Sequence, residues 1–268
     1  MKHGGKIRYN TPVKKITIKD DQTQSLLVRN NVIHHGDITI SAADWHWTIF
    51  DALEGKYVNA KMIKLKELKK LKVFYSVLQF SFGISKDLKE YPHFSRFPIE
   101  QPIISPDGTK YERMEAHIYN YDDTMAPKGK TTVVVSFYTE YADYWINLRK
   151  SDRPKYREVK KEFIETITTL LDKRLGGIKD HIEMVDFATP ATYLRYTNNW
   201  KGSTQGWLPG ENLIAPSPVK LTIPGLKNFY LSSHWNQPGG GLPIAISTGR
   251  EVAKAICKNQ KKKFKTVS

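Results

Sequence analysis

The sequence predicts a mixed α/β fold with α+β character, because strand-like and helix-like segments alternate unevenly along its 268 residues. Residues 6–18 and 25–40 form short runs of alternating polar and apolar residues, which is typical of a small antiparallel sheet. Residues 73–84 and 131–139 are rich in β-branched and aromatic side chains and predict a second sheet. Residues 155–174 predict an amphipathic helix, whose apolar side chains recur at steps of three and four: Tyr156, Val159, Phe163, Ile167 and Leu170.

The composition indicates a globular protein of one or two domains. Hydrophobic residues make up 40% of the chain and aromatic residues 12%, which suffices for a sizeable core. Cys257 is the single cysteine, so we expect a buried thiol and a reducing compartment. No apolar run reaches the length of a membrane span, and residues 1–10 lack the apolar centre of a signal peptide. A cytoplasmic protein is therefore expected.

The net charge of +15 predicts attraction to anionic partners. Lysines cluster in residues 61–72 (KMIKLKELKKLK) and in the tail, residues 258–268. The apolar residues of the first cluster recur every three positions, at Met62, Leu65, Leu68 and Leu71. This segment is either a basic amphipathic helix in peripheral contact with a membrane or the solvated face of a core helix. No nucleic-acid-binding signature accompanies the charge, so nucleic acid is a minor alternative.

Residues 233–245 (SHWNQPGGGLPIA) predict a glycine turn between a short strand, residues 228–232, and a helix. Pro243 suits the start of that helix because its missing N–H would be unpaired there. Three consecutive glycines permit positive φ and the close approach of another group. The unpaired N–H groups at the helix start favour an anionic or electron-rich group. A tight turn before a core helix is the alternative interpretation.

Several familiar motifs are missing from the sequence. Counting from Gly239, the third glycine of a dinucleotide-binding G-x-G-x-x-G motif would fall at Ile244, and no Lys-Ser/Thr pair follows as in a P-loop. His34 and His35 are adjacent and would project to opposite faces of a strand, so no metal site is predicted. No G-x-S-x-G elbow marks a hydrolytic nucleophile, and no residue presents itself as a catalytic acid or base.

Five segments, taken together and in order, resemble the phytoene desaturase-like branch of the flavin amine oxidase superfamily. They are GGKIRYNTPVKKI, DITISAADWHWTIFDAL, NYDDTMAPKGKTTVVVS, TPATYLRYTNNWKGSTQGW and LKNFYLSSHWNQPGGGLPIAISTGREVA. The resemblance covers residues 4–256 and implies an incomplete Rossmann-type FAD-binding domain with an inserted mixed-sheet substrate domain. It also implies that the chain is part of an FAD-dependent oxidoreductase acting on a hydrophobic small molecule, a long apolar polyene or related lipid.

The resemblance places the glycine turn against the flavin ring. It implies the following cofactor-binding positions: Val13, Ser233, His234, Gly239, Gly240, Gly241, Leu242 and Pro243. A helix start would stabilise the negative charge of a reduced flavin at its N1–C2=O edge. Val13 corresponds to a residue that packs against the adenine, and Ser233-His234 replaces a Gly-Asp or similar pair near the ribityl-phosphate chain. Asp44 matches an acidic family position, and capping of the following helix is an equally good account of it.

An aromatic-rich segment beside glycines suits the wall of an apolar cavity, and aromatic core packing is the alternative interpretation. On this basis Tyr193, Trp200 and Trp207 are the implied substrate-binding residues.

The resemblance also divides the chain into segments. Residues 1–51 and 208–257 correspond to the middle and C-terminal parts of the FAD-binding domain, residues 52–207 to the substrate domain, and residues 258–268 to a basic tail. The G-x-G-x-x-G unit that holds the FAD pyrophosphate in relatives is missing from these 268 residues. We therefore expect an enzyme that is inactive without its N-terminal half, which is either the missing part of a longer gene product or a separate N-terminal FAD-binding half. A lipid-binding or scaffold protein that has lost FAD is the alternative.

Overall fold

The computed structural model describes residues 4–67, 71–210 and 218–266. These residues form two compact units. The first unit draws on residues 1–74, 198–200 and 205–268, and the second on residues 75–197 and 201–204. The predicted α/β fold class is confirmed by the helices and sheets of the two units. The segment 52–74, which the sequence assigned to the substrate domain, lies in the first unit.

The first unit contains two small sheets. Their strands are β1 (Val13–Lys19), β2 (Gln22–Val28), β3 (Ile33–His35), β4 (Thr39–Ser41) and β10 (Phe229–Leu231). The predicted antiparallel sheet is present, with the order β1-β2-β3. The second sheet pairs β4 and β10 in parallel, so that Ile40 lies opposite Tyr230. Parallel strands need a long connection, and here the intervening chain includes the whole second unit.

Asn228 joins the two sheets of the first unit. The Oδ1 atom of Asn228 accepts a hydrogen bond of 2.8 Å from the N–H of Thr23, and its Nδ2 donates one of 2.9 Å to the carbonyl of Thr23. The backbone carbonyl of Asn228 accepts from the N–H of Thr39, at 2.9 Å. Asn228 has a positive φ of 47°, a conformation that asparagine tolerates better than most residues.

The helices of the first unit include a 3-10 turn (Arg29–Asn31), a π-helix (Trp47–Ala52), α1 (Ala60–Lys66), a second 3-10 turn (His234–Asn236) and α5 (Gly241–Asn259). Helix α1 ends at Lys66, whereas the basic helix was predicted to reach residue 72; residues 68–70 lie outside the described residues. A strict three-residue repeat drifts around a helix of 3.6 residues per turn, so it cannot keep one face buried. Cys257 on α5 is half-buried rather than enclosed in the core.

The second unit is a five-stranded sheet with the order β6-β7-β8-β5-β9, packed against helices. Its elements are β5 (Ser76–Ile84), β6 (Phe94–Ile104), β7 (Lys110–Tyr119), β8 (Thr131–Thr139), α2 (Ala142–Ser151), α3 (Arg153–Arg174), β9 (Ile182–Ala188) and α4 (Pro190–Thr197). Every pair of neighbouring strands is antiparallel, so the sheet is antiparallel rather than mixed. Strands β6, β7 and β8 follow one another without an intervening helix, which antiparallel neighbours allow and parallel ones do not.

The core of the second unit lies between this sheet and α3. Helix α3 buries Tyr156, Val159, Phe163 and Ile167, as its apolar spacing predicts. The rings of Phe80 and Phe187, from neighbouring strands, stack with centroids 4.0 Å apart. None of the helices within residues 4–67, 71–210 and 218–266 combines the length and the apolar character that crossing a membrane requires.

Candidate cofactor-binding site

The turn between β10 and α5 is held by a capping box. The Oγ of Ser233 accepts a hydrogen bond from the N–H of Trp235 at 3.2 Å, and the N–H of Ser233 donates to Oδ1 of Asn236 at 2.7 Å. This reciprocal arrangement satisfies backbone donors that would otherwise be unpaired at the turn. The buried Ser233 side chain is thus committed to the turn itself.

Gly239, Gly240 and Gly241 all have positive φ, at 85°, 41° and 72°. The expected close approach occurs at Gly240, where an added Cβ would lie 1.6 Å from the carbonyl oxygen of Gln205. The group that approaches the second glycine is therefore the backbone of the protein itself. The N–H of Gly239 donates to the carbonyl of Trp207 at 3.0 Å and fixes the turn from the same side.

Helix α5 begins at Gly241, which makes Pro243 its third residue. The N–H groups of the first turn have no acceptor within the helix, and Pro243 adds none. Among the described residues, no side chain caps this helix start. The side chain of Leu242 is 77% exposed, so solvent reaches the helix start. The amides of Gly241 and Leu242 thus offer an uncapped, partly positive surface to an anionic or electron-rich group.

His234 lies half-buried beside this turn. Burial lowers the pKa of its imidazole below the ordinary value of 6.5, so the ring is neutral at physiological pH. Its ring is 5.6 Å from that of Trp235, centroid to centroid, with an edge-on orientation. A neutral imidazole still has one N–H donor and one acceptor.

Val13 begins β1 and pairs with Val28 of β2. It is half-buried and shares the first unit with the glycine turn, although the two belong to different sheets. Nothing about its local packing distinguishes it from other residues of that strand.

A cluster of four tryptophans lies behind the turn. Its members are Trp45, Trp200, Trp207 and Trp235, with ring centroids between 5.2 and 6.4 Å apart in neighbouring pairs. Trp207 is fully buried, and its Nε1 donates to the carbonyl of Trp235 at 2.9 Å. Trp200 is half-buried and stacks on His46 at 4.7 Å. The structure thus brings Trp200 and Trp207 together as neighbours within a core.

Tyr193, the third residue implied in substrate binding, belongs to the second unit. It is half-buried on α4, and its hydroxyl donates to Oε1 of Gln79 at 2.9 Å. Burial raises the pKa of this phenol, which therefore stays protonated.

Asp44 holds the tryptophan cluster in place. Its Oδ1 accepts from the N–H of Trp47 at 2.8 Å, and its Oδ2 accepts from the N–H of Trp200 at 2.9 Å. The first bond caps the helical turn at Trp45 and His46 that leads into the π-helix, as the sequence allowed. Burial raises the pKa of Asp44 to about 6, although the backbone hydrogen bonds act in the opposite direction. The second bond joins Asp44 to a residue far along the chain and could not be predicted from the sequence.

An apolar cavity of about 280 Å³ adjoins the cluster. Its apolar lining comes from the π-helix region, α1, the segment around Val219 and the end of β10, and includes Trp45, Ile49, Met62, Leu65, Val219 and Leu231. The indole N–H of Trp45 is buried and has no hydrogen-bond partner within the described part of the chain. Sequence reasoning missed this cavity because its lining residues come from four separate segments.

No three histidine, cysteine, aspartate or glutamate side chains of the described residues converge in a way that could hold a metal ion.

No family model and no curated protein matches the sequence.

Several solved structures are similar to this chain in fold. An oxidoreductase from Methanosarcina mazei gives a TM-score of 0.56 at 14% identity, over 93% of this chain and 51% of its own. A triple mutant of putrescine oxidase, made to redesign cofactor binding, gives 0.56 at 13% identity, over 93% of this chain and 49% of its own. Putrescine-bound wild-type putrescine oxidase gives 0.53 at 14% identity, with the same two coverages. The chain thus spans about half the length of these proteins, and the likeness is one of fold.

Proposed function

We propose that the chain is part of an FAD-dependent oxidoreductase and that the turn at residues 239–243 binds the flavin ring. The observation that carries this proposal is the uncapped start of α5, which includes the exposed Leu242 and follows a turn of three positive-φ glycines. When bound, FAD would supply the two-electron redox chemistry. The fold likeness to an oxidoreductase and to putrescine oxidase supports the same proposal.

The protein's own residues have defined tasks in this proposal. Gly241 and Leu242 present N–H groups to the electron-rich edge of the ring, and neutral His234 offers a hydrogen-bond donor nearby. The capping box at Ser233 and the contact between Gly240 and Gln205 hold the turn rigid. A turn fixed in advance loses little entropy when a ligand binds.

We further propose that the pyrophosphate of FAD is held by a separate N-terminal half. The 268 residues contain no G-x-G-x-x-G unit. The sheet of β4 and β10 has two strands among the described residues, whereas parallel sheets are ordinarily larger and covered on both faces. Large apolar side chains are exposed on this sheet and on α5, namely Ile40, Leu242 and Ile246. Further strands from a partner would cover such a surface.

The test is co-expression of the chain with the first half of a flavin-dependent relative that carries a G-x-G-x-x-G unit. We expect the isolated chain to lose added FAD on a desalting column and the paired halves to keep it, as measured by flavin absorbance. Stoichiometric FAD in the isolated chain would contradict the need for a partner. No FAD in a complex whose halves do associate would instead favour a lipid-binding or scaffold protein.

We propose an apolar substrate, a long polyene or related lipid, for the cavity beside Trp45. The cavity is lined mainly by apolar side chains, and its polar lining residues are Asn59, Lys61, Lys220 and Thr222. Such a lining suits an apolar ligand with few polar groups. Leu231, which ends β10, lines the cavity, and the Trp45 ring packs 5.4 Å from that of Trp207, whose carbonyl binds Gly239. The cavity and the glycine turn therefore share one packed framework.

A pair of variants on α1 tests this substrate proposal. Met62→Lys places a charge in the cavity, whereas Ile63→Lys, at a side chain that is 45% exposed, places the same charge outside it. A polyene bound beside Trp45 should quench the tryptophan emission. We expect quenching to be lost in Met62→Lys and kept in Ile63→Lys. Equal quenching in both variants would contradict binding at this cavity.

Peripheral membrane contact through α1 is a further proposal. Lys64 is exposed, and Lys66 lies 4.2 Å from the centroid of the Phe50 ring, so its ammonium stays near the surface. Binding to anionic liposomes should weaken with salt and fall when Lys64 and Lys66 are replaced by glutamine. Equal binding to neutral liposomes would contradict an electrostatic attraction.

A further inference from the structure

The second unit contains a cavity of about 370 Å³ whose lining is strongly basic. Helices α2, α3 and α4 form it. Six of its nine lining residues are cationic, and none is acidic: Arg149, Arg153, Arg157, Lys160, Lys161 and Arg195. The other three are Tyr156, Ile164 and Thr192. This cavity is separate from the residues assigned to flavin binding, all of which lie in the first unit.

The helical repeat explains how the charges come together. On α3, Arg153, Arg157, Lys160 and Lys161 follow one another at steps of four, three and one, so they share one side of the helix. The buried stripe of Tyr156, Val159 and Phe163 lies next to them and fixes the rotation of the helix. The last turns of α2 and α4 then add Arg149 and Arg195.

These cations lack carboxylate partners. No ion pair within the described ranges includes any of the six. Two acidic residues near the start of α3 have other partners. Asp152 accepts a hydrogen bond from the N–H of Lys155 at 2.9 Å, and Glu158 pairs with the ammonium of Lys155 at 3.0 Å. Six like charges around one cavity repel one another. A bound anion would compensate this electrostatic repulsion.

We propose that this cavity binds a compact polyphosphate group. Arginine guanidinium groups present paired N–H donors that match phosphate oxygens, and four of the six cations are arginines. The six cations lie around one cleft of about 370 Å³, a volume that suits two or three linked phosphoryl groups, whereas an extended polymer would need a longer basic track. The phosphate can belong to a free polyphosphate or to the headgroup of a lipid, since both present the same clustered anionic oxygens.

The primary test is a calorimetric titration of the full chain with inorganic tripolyphosphate at low salt. The variant Arg157→Gln/Lys161→Gln removes two exposed lining cations, so folding should be unaffected. The matched control, Arg113→Gln/Lys179→Gln, removes one arginine and one lysine that are exposed elsewhere on the same unit. We expect at least a tenfold weaker affinity in the first variant and less than a twofold change in the control. Absence of tripolyphosphate binding, or equal weakening in both variants, would overturn the proposal.

A second experiment distinguishes the sources of the phosphate. Vesicles of phosphatidylcholine with a phosphatidylinositol bisphosphate, whose headgroup carries clustered phosphates, are sedimented with the chain, with and without tripolyphosphate. Sedimentation that tripolyphosphate reverses and that Arg157→Gln/Lys161→Gln abolishes assigns the site to a lipid headgroup. Tripolyphosphate binding without sedimentation assigns it to a free polyphosphate. Single-stranded oligonucleotides that bind more tightly with length and displace tripolyphosphate would overturn the compact ligand in favour of a nucleic acid.

Discussion

Gly240 and Gln205 make a backbone contact that no other residue type could accommodate at position 240. A Cβ at Gly240 would lie 1.6 Å from the carbonyl oxygen of Gln205, and the backbone there has φ 41° and ψ −140°. Overpacking and a glycine-only conformation each cost on the order of 1–3 kcal/mol. We expect Gly240→Ala to lower the free energy of unfolding by about 3 kcal/mol, measured by urea denaturation with tryptophan fluorescence.

Gly249→Ala, inside the helix that follows Gly240, is the matched control. An added Cβ at Gly249 would meet only the Oγ of Ser232, at 3.8 Å, which is an ordinary contact. Alanine is favoured over glycine in a helix interior by about 0.5–1 kcal/mol, so this variant should be more stable than the wild type. A Gly240→Ala protein as stable as the wild type would show that the turn has another conformation.

The contact also means that substitutions at Gly240 cannot locate a cofactor, because they disturb the chain whether or not a ligand is bound. Leu242 is better suited, since its side chain is 77% exposed at the start of α5. A glutamate in the first turn is favourable to the helix but repels an anionic ligand. We expect Leu242→Glu to leave the unfolding free energy unchanged or raised, and to weaken flavin retention by the paired halves at least fivefold.

Leu242→Gln controls for size and polarity without the charge. Flavin retention should then be close to that of the wild type. If both variants retain flavin equally well, the ring edge does not face this helix start. Flavin fluorescence after desalting measures the outcome, and circular dichroism verifies that α5 is intact.

The raised pKa of Asp44 predicts a pH-dependent stability of the first unit. Its pKa of about 6 exceeds the ordinary value of 3.8, so the folded chain disfavours the ionised carboxylate. The stability that Asp44 contributes is full below pH 3.8 and is lost as the pH rises through 6. A shift of about two pKa units corresponds to ~3 kcal/mol.

Replacing Asp44 by asparagine removes this titration. Burial lowers the pKa of the neighbouring His46, which contributes in the opposite sense, since its stabilisation is lost as the pH falls. The informative quantity is therefore the difference in unfolding free energy between the wild type and Asp44→Asn. We expect the wild type to lose up to about 3 kcal/mol relative to Asp44→Asn between pH 4 and pH 7. Asp37→Asn, at an exposed carboxylate, should follow the wild-type curve.

Asp107, in the second unit, has a lowered pKa, whereas the pKa of Asp44 is raised. Burial acts to raise its pKa, but hydrogen bonds from Ser105, Thr109 and Trp145 outweigh burial and the net pKa is lowered. Its Oδ2 accepts from Nε1 of Trp145 at 2.7 Å and from the hydroxyl of Thr139 at 2.8 Å. The stability that it contributes is present above its usual pKa and is lost as the pH falls through the lowered value.

In Asp107→Asn, the amide group would turn a donor toward one of these donors. Removing an acceptor from buried donors costs about 1–3 kcal/mol per group, so we expect a destabilisation of roughly 2–3 kcal/mol. Faster amide hydrogen exchange in β8 would report it, because Thr139 ends that strand. Asp123→Asn, at an exposed carboxylate, should leave the exchange unchanged.

The elements that could be predicted from sequence are those with a strong local pattern. Strand β8 occupies the predicted residues 131–139, because its β-branched run is bounded by polar turns. Helix α3 begins at Arg153, slightly before the predicted start, because Asp152 caps it. Strand β6 was not recognised because it contains Pro98 and Pro102, which normally argue against a strand; its register shifts between Pro98 and Ile103.

The features of the candidate sites that could be predicted are likewise those with a local sequence pattern. The glycine turn was recognisable because its residues are consecutive, but the contact between Gly240 and Gln205 joins residues that are far apart in the chain. The bond from Trp200 to Asp44 spans 156 positions and has no local signature. The basic cavity was missed because the apolar stripe of α3 defines its inner face, while Arg149 and Arg195 come from other helices.

The hydrogen bonds between Asn228 and Thr23 link residues 205 positions apart. This separation determines the order in which the two units can fold during translation. The second unit is built from residues 75–197 and 201–204, so its whole sequence is translated before Asn228. In the first unit, strand β4 stays without its partner strand until β10 has been synthesised. Domains ordinarily fold as units during synthesis. The inserted unit is therefore the one that can fold first, while the exposed β4 edge makes the nascent first unit a natural client for chaperones until translation is complete.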